Sequence, residues 1–274
     1  MVAAAGSIDV ATVGFKTAPQ VTAIRTDGGG PGAPIVGAPR GNEFTLRNLS
    51  PGSYTIIART SSEAASVTVQ VAAGRASRTT LTSSGSAVVA GHVREFRTGK
   101  PIEGMTCRAL PRSDTGYTAV GAGEGVRTDA QGAFVIATAP AGPISLSCDG
   151  LWRNYSDGLR MITLQPGKRS DIDVPVVALS EEPGITLGGI GADFDPSVLV
   201  PRLLRVQPGG PAAIAGFQNG DVITTVDGTS VAELSPNGVW TLIVNRAPGT
   251  KIKLVATRGG KSVAGEIALG EAPH

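Results

Sequence analysis

The chain is poor in the side chains that carry acid–base and metal chemistry. Its 274 residues include two histidines, His92 and the terminal His274, and two cysteines, Cys107 and Cys148. A Ser-His-Asp device needs a histidine beside its nucleophile, and a structural zinc needs several Cys or His ligands close together. Neither set exists, so the expectation is no enzyme, no metal and no cofactor. Long apolar runs are missing too: none approaches the ~20 residues that span a bilayer. The start, MVAAAGSIDV, lacks the basic and apolar regions of a signal peptide. No membrane insertion is expected within this segment. Charge is thin and scattered, with 24 Lys and Arg against 22 Asp and Glu for a formal net of +2. Without a basic stripe, nucleic acid is not an expected partner.

Glycine and proline are plentiful, at 38 and 19 residues. They punctuate the chain so often that short strands and turns, not long helices, are expected, and the length suits two or three domains.

The most informative stretch runs from Gly188 to Gly228, LGGIGADFD followed by LLRVQPGGPAAIAGFQNGDVITTVDG. Gly188, Gly189, Ile190 and Gly191 form a glycine-rich turn whose amides can converge on an anion. Pro211 to Gly216 reads as a short helix with Pro at its start and Gly past its end. Val222 to Val226 is a strand running into Asp227-Gly228, a tight-turn pair. Ser235-Pro236 then opens a second helix, with Val239, Trp240, Leu242 and Ile243 on its buried side. Ile252, Leu254 and Ala256 alternate as a closing strand.

This order of parts resembles a PDZ domain of the bacterial, circularly permuted kind, over about the last third of the chain. The resemblance implies capture of a protein C-terminus or extended strand, added to a sheet edge. It places the ligand carboxylate at Gly188, Gly189, Ile190 and Gly191, the pairing edge on Ala192, Asp193 and Phe194, and the groove wall on Pro236 and Trp240. Trp240 departs from the family pattern, where a smaller residue is common: the groove either prefers a small apolar end or is partly shut, and a core or dimer contact is an equal reading. Asp193 and Asp195 read as solvated turn carboxylates rather than a cation site.

Upstream, the chain repeats itself. NEFTLRNLSPGSYTIIART, from Asn42 to Thr60, aligns without a gap on GAFVIATAPAGPISLSCDG, from Gly132 to Gly150. Phe44 falls on Phe134, Leu46 on Ile136, Pro51-Gly52 on Ala141-Gly142 and Ala58 on Cys148, a shift of about 90 residues. Each copy alternates as a hairpin with one face buried. GHVREFRTGKPIEGMTCRA with GAFVIATAPAGPISLSCDG, and GNEFTLRNLSPGSYTIIA in the first copy, resemble the carboxypeptidase regulatory-like, or prealbumin-like, β-sandwich. That resemblance implies an extracytoplasmic spacer without catalysis of its own. Cys107 and Cys148 fall on two strands of the second copy and face inward with Met105, Leu146 and Ile144. A disulfide across the sandwich and two reduced, buried thiols both fit; the even count favours the disulfide. Trp152 and Tyr155, in GLWRNYSDG, read as a loop anchor or a sugar or protein contact.

The expected fold is mainly β: an incomplete sandwich over residues 1–82, a full one over 83–180, and a partly open PDZ barrel with two short helices over 181–270. The expected function is a non-enzymatic adaptor, extracytoplasmic, whose export signal lies outside this segment, since Met1 adjoins what reads as the interior of a β domain. Two rivals are a substrate-sensing tail of a larger protease, and a spacer or carbohydrate-contacting module whose last part makes a homo-oligomer.

Overall fold

The computed structural model describes residues 4–27, 34–111, 125–150, 154–179, 187–195 and 198–271. The chain is mainly β, and among the described residues its three large hydrophobic cores follow one another in sequence order, beside a small Ile24–Ile57 contact.

The first core lies in a sandwich of eight strands: β1 (Gly6–Val13), β2 (Gln20–Arg25), β3 (Ile35–Val36), β4 (Ala38–Arg40), β5 (Glu43–Leu49), β6 (Gly52–Arg59), β7 (Ala64–Val71) and β8 (Ala76–Thr82). One sheet runs β4-β5-β1-β8 and the other β3-β2-β6-β7. Period-2 alternation decides which side chains meet. Ile8 and Val10 of β1, Phe44 and Leu46 of β5, and Tyr54, Ile56 and Ala58 of β6 all turn into one core. This module was expected to be incomplete at its start. Instead β1 and β2 are formed, and β1 sits centrally, antiparallel to β5 and parallel to β8. Apolar alternation over residues 8 to 26 marks these strands, but no TGKP-type turn precedes Val21, so their place in the sandwich was not legible.

The second sandwich contains β9 (Ser86–Glu95), β10 (Thr106–Pro111), β11 (Val126–Arg127), β12 (Ala133–Pro140), β13 (Gly142–Asp149), β14 (Gly158–Leu164), β15 (Arg169–Asp171) and β16 (Val174–Val176). Its sheets, β12-β9-β15 and β11-β10-β13-β14, repeat the connectivity of β5-β1-β8 and β3-β2-β6-β7; β4 has no counterpart here, and β16, which also pairs β9, has none in the first module. In each, the opening strand pairs antiparallel with the hairpin's first strand and parallel with a late one. Gly52 and Gly142, matched by the repeat, both hold positive φ, at 152° and 97°. At Gly91 the backbone of Ile172 crosses so closely that an added Cβ would lie 1.8 Å from its carbonyl oxygen.

Cys107 and Cys148 are joined in a disulfide. Contrary to the expectation from sequence, the bond does not cross the sandwich; the two residues are direct partners on the neighbouring strands β10 and β13, with Cα atoms 4.0 Å apart. Inward orientation was legible from alternation, but which strands adjoin was not.

The C-terminal module comprises β17 (Gly188–Gly189), β18 (Asp193–Phe194), β19 (Leu203–Leu204), α1 (Pro211–Ile214), β20 (Val222–Val226), β21 (Thr229–Ser230), α2 (Pro236–Val244), β22 (Lys251–Arg258), β23 (Lys261–Ala268) and β24 (Gly270–Glu271). Its main sheet runs β21-β20-β22-β23, while β17 pairs β24 and β18 pairs β19. Asp227 and Gly228, at φ 49° and 80°, make the turn between β20 and β21. Asp221 is fully buried; it accepts from Gln218 N and from Arg258 Nε and Nη2, at 2.9, 2.7 and 2.8 Å. Among the described residues no helix is long and apolar enough to cross a membrane.

Candidate functional site

Ser235 caps α2, accepting from Gly238 N at 2.9 Å, and Pro236 occupies the first turn, where its missing N–H costs nothing. Six of the nine residues of α2 are buried, because it is packed on two sides. Val239, Leu242 and Ile243 enter the core of their own module. The second sandwich holds the other side: Ser235 Oγ donates to Asp157 O at 2.8 Å and Asn245 Nδ2 to Ala178 O at 3.2 Å. Arg160 meets Glu233 at 3.0 Å, and Phe96 and Val177 join the C-terminal core. The helix that walls the candidate groove is therefore braced by the preceding module.

Opposite α2 lies the segment from Gly188 to Phe194. Gly188 N donates to Arg246 O at 2.7 Å, and Gly188 and Gly189 pair with Glu271 and Gly270. Gly188 is thus committed to the sheet and does not supply a free amide, a correction to its expected place in the loop. Space there is short: a Cβ on Gly188 would lie 2.6 Å from Leu269 Cδ1. Next in the chain, Ile190 O accepts from Ala212 N and Gly191 O from Gln207 N, each at 2.8 Å. With both carbonyls drawn toward α1, the chain turns at Gly191, φ 66°. The N–H groups of Ile190, Gly191 and Ala192 meet no acceptor among the described residues.

The strand that follows has one open edge. Asp193 and Phe194 pair with Leu204 and Leu203, and Asp195 N donates to Arg202 O at 2.8 Å. Because amides alternate in direction along a strand, those of Ala192 and Phe194 point away from β19. Such an unpaired edge, headed by free amides, can take an extended chain ending in a carboxylate.

Residues 188–269 match the PDZ domain family model. This PDZ segment is the part of the chain for which the comparisons supply a family; a search of curated proteins returns no match. Among solved structures, the chain resembles the Bacillus anthracis TIE protein at 11% identity and TM-score 0.29, covering 98% of this chain and 49% of that one. It thus spans about half the length of that protein. GBS52, the minor pilin of Streptococcus agalactiae, is similar at 10% identity and TM-score 0.30, over 65% of this chain and 98% of its own. The shaft pilin SpaA from Lactobacillus rhamnosus GG shows 8% identity and TM-score 0.26, over 66% and 100%. No role is carried across at these scores.

Trp240 and Phe194 are brought together across the PDZ groove. Their ring centroids lie 5.6 Å apart at 73°, an edge-to-face contact between α2 and β18. The alternation at Phe194 and the helical face of Trp240 were both legible; the distance between helix and strand was not. Pro236 stays at the N-terminal turn of α2 and belongs to the braced end of the wall. Asp193 pairs with Arg205 at 2.7 Å and Asp195 with Arg202 at 3.7 Å, so both carboxylates have cationic partners. His92, on the outward side of β9, places Nδ1 3.3 Å from the exposed Asp173 carboxylate. Tyr155 packs against the core of the second sandwich; Trp152 and His274 lie outside the described residues.

Proposed function

We propose that this protein is a non-enzymatic binding adaptor whose PDZ groove captures a partner's C-terminus or extended strand by β-augmentation. The observation that carries the reading is the run of amides at Ile190, Gly191 and Ala192, unpartnered among the described residues and leading directly into the edge of β18 that they leave open. Three free amides in succession can hold a carboxylate without a cation, each hydrogen bond to the charged group contributing about 1.5–3 kcal/mol. The match of residues 188–269 to the PDZ family supports the same geometry.

In this reading the two sandwiches are carboxypeptidase regulatory-like spacers, and the second also braces α2. The buried disulfide favours an extracytoplasmic setting, since such bonds persist in oxidising compartments. The experiment is amide chemical-shift mapping on the isotope-labelled full chain during titration with peptides from a C-terminal library. Shifts centred on residues 190–194 and α2 support the proposal. Binding that perturbs neither element sinks it.

A further inference from the structure

We propose a second binding site, on the outer face of the first sandwich, for an acidic polysaccharide. Along β1, one residue opposes two: Gly6 pairs with Leu49 and Ile8 with Leu46, so Arg47 and Asn48 bulge opposite Ser7. Asn48 adopts φ 59°, which completes the bulge, and bulges of this kind re-aim side chains out of the regular pleat. Around it lies a shallow depression of about 550 Å³ lined by Arg40, Arg47, Arg75, Asn48, Asp9 and Thr45, among others. All three arginines are exposed, and their guanidinium groups have no hydrogen-bond or ionic partner among the described residues. Arg78, placed opposite Asp9 by the β1–β8 register, extends the same face.

The ligand class follows from what accompanies the arginines. From β4 to β8 the cations are spread over three strand spacings, roughly 14 Å, so one small anion cannot engage them all. A chain with anionic groups at intervals can. Asp9 is held by Thr45 Oγ1 at 3.1 Å and stands among the cations, where it can accept from ligand hydroxyls. A ligand combining hydroxyl donors with carboxylate or sulfate groups satisfies both charges, whereas an acidic peptide offers mainly acceptors. The depression has no aromatic side chain in its lining, so it gives nucleic-acid bases no stacking platform. Guanidinium groups suit planar, bidentate recognition of carboxylate.

The test immobilises the folded full chain and measures binding of polygalacturonate (carboxylated), heparin (sulfated) and neutral dextran at low salt. The two acidic glycans distinguish carboxylate from sulfate as the favoured group. The expected result is binding of at least one of them, no binding of dextran, and a loss of tenfold or more in R47E/R75E. A charge-matched control, K253E/K261E on the PDZ sheet, should keep wild-type binding. Equal loss in both double variants would reduce the effect to net charge and overturn the site. So would unaltered binding by R47E/R75E, failure of both acidic glycans, or tighter binding of single-stranded DNA than of either.

Discussion

Replacing Trp240 with alanine should tighten peptide binding at the PDZ groove rather than weaken it. In the free protein, Trp240 of α2 touches Phe194 of β18 edge-to-face at 5.6 Å, joining the two walls between which the ligand strand would lie. A peptide must break this contact to pair along β18. Aromatic pairs of this geometry are worth about 0.5–1.5 kcal/mol beyond their buried area. With tenfold in affinity per 1.4 kcal/mol, removing the pair should raise affinity by about two- to twelve-fold. Bracing by the second sandwich, through Ser235 and Asn245, should keep α2 in place when the indole is lost. The assay is fluorescence anisotropy of a labelled library-selected peptide on the full chain, with denaturant unfolding measured in parallel. Trp240→Phe, which retains an aromatic contact, should fall between wild type and alanine. A folded W240A protein that binds more weakly would show Trp240 to be a ligand-contacting wall and would refute the reasoning.

Opening the Cys107–Cys148 bond with a C107S/C148S pair should destabilise the protein by about 4 kcal/mol, the chain-entropy value for a loop of this size, measured by urea unfolding. An unchanged midpoint would contradict a structural role. The Arg258 hydrogen bonds, with help from Gln218 N, hold the Asp221 carboxyl below the usual carboxylate range despite its burial. Its stabilising contribution is then complete above the unfolded value near pH 3.9 and is lost as pH falls through the lower folded one. Asp221→Asn should lower stability at pH 7 and flatten its acid dependence; an identical acid limb in the variant would count against this. Gly91→Ala should be among the most damaging single substitutions in the second sandwich, because its methyl group would meet the Ile172 backbone. Calorimetry that finds its melting temperature within a degree or so of wild type would show that the crossing relaxes.

Much of this architecture was written in local pattern. The 90-residue shift matched Phe44 to Phe134 and Ala58 to Cys148, and the structure gives both copies the same order in seven matched strands, β4 and β16 standing outside the match. Asp227-Gly228 and Ser235-Pro236 specified a turn and a helix start through their own backbone chemistry. What stayed hidden depends on contacts distant in sequence. The central place of β1 comes from pairing with β8, some seventy residues later. That the disulfide joins neighbouring strands required the β10–β13 register. In the candidate site, Gly188 was assigned by its place in the glycine-rich turn and by the PDZ resemblance; its amide is consumed by Arg246 O, a partner no local pattern could name. The free donors begin two residues later, where Ala212 and Gln207 hold the carbonyls of Ile190 and Gly191.

The central claim is that the main-chain amides of Ile190, Gly191 and Ala192 receive a peptide carboxylate. The most direct measurement compares one selected peptide with its C-terminally amidated twin by calorimetry on the full chain. The account predicts a loss of at least tenfold on amidation, since hydrogen bonds to a charged acceptor are replaced by weaker neutral ones. Equal affinity for the two forms would contradict it.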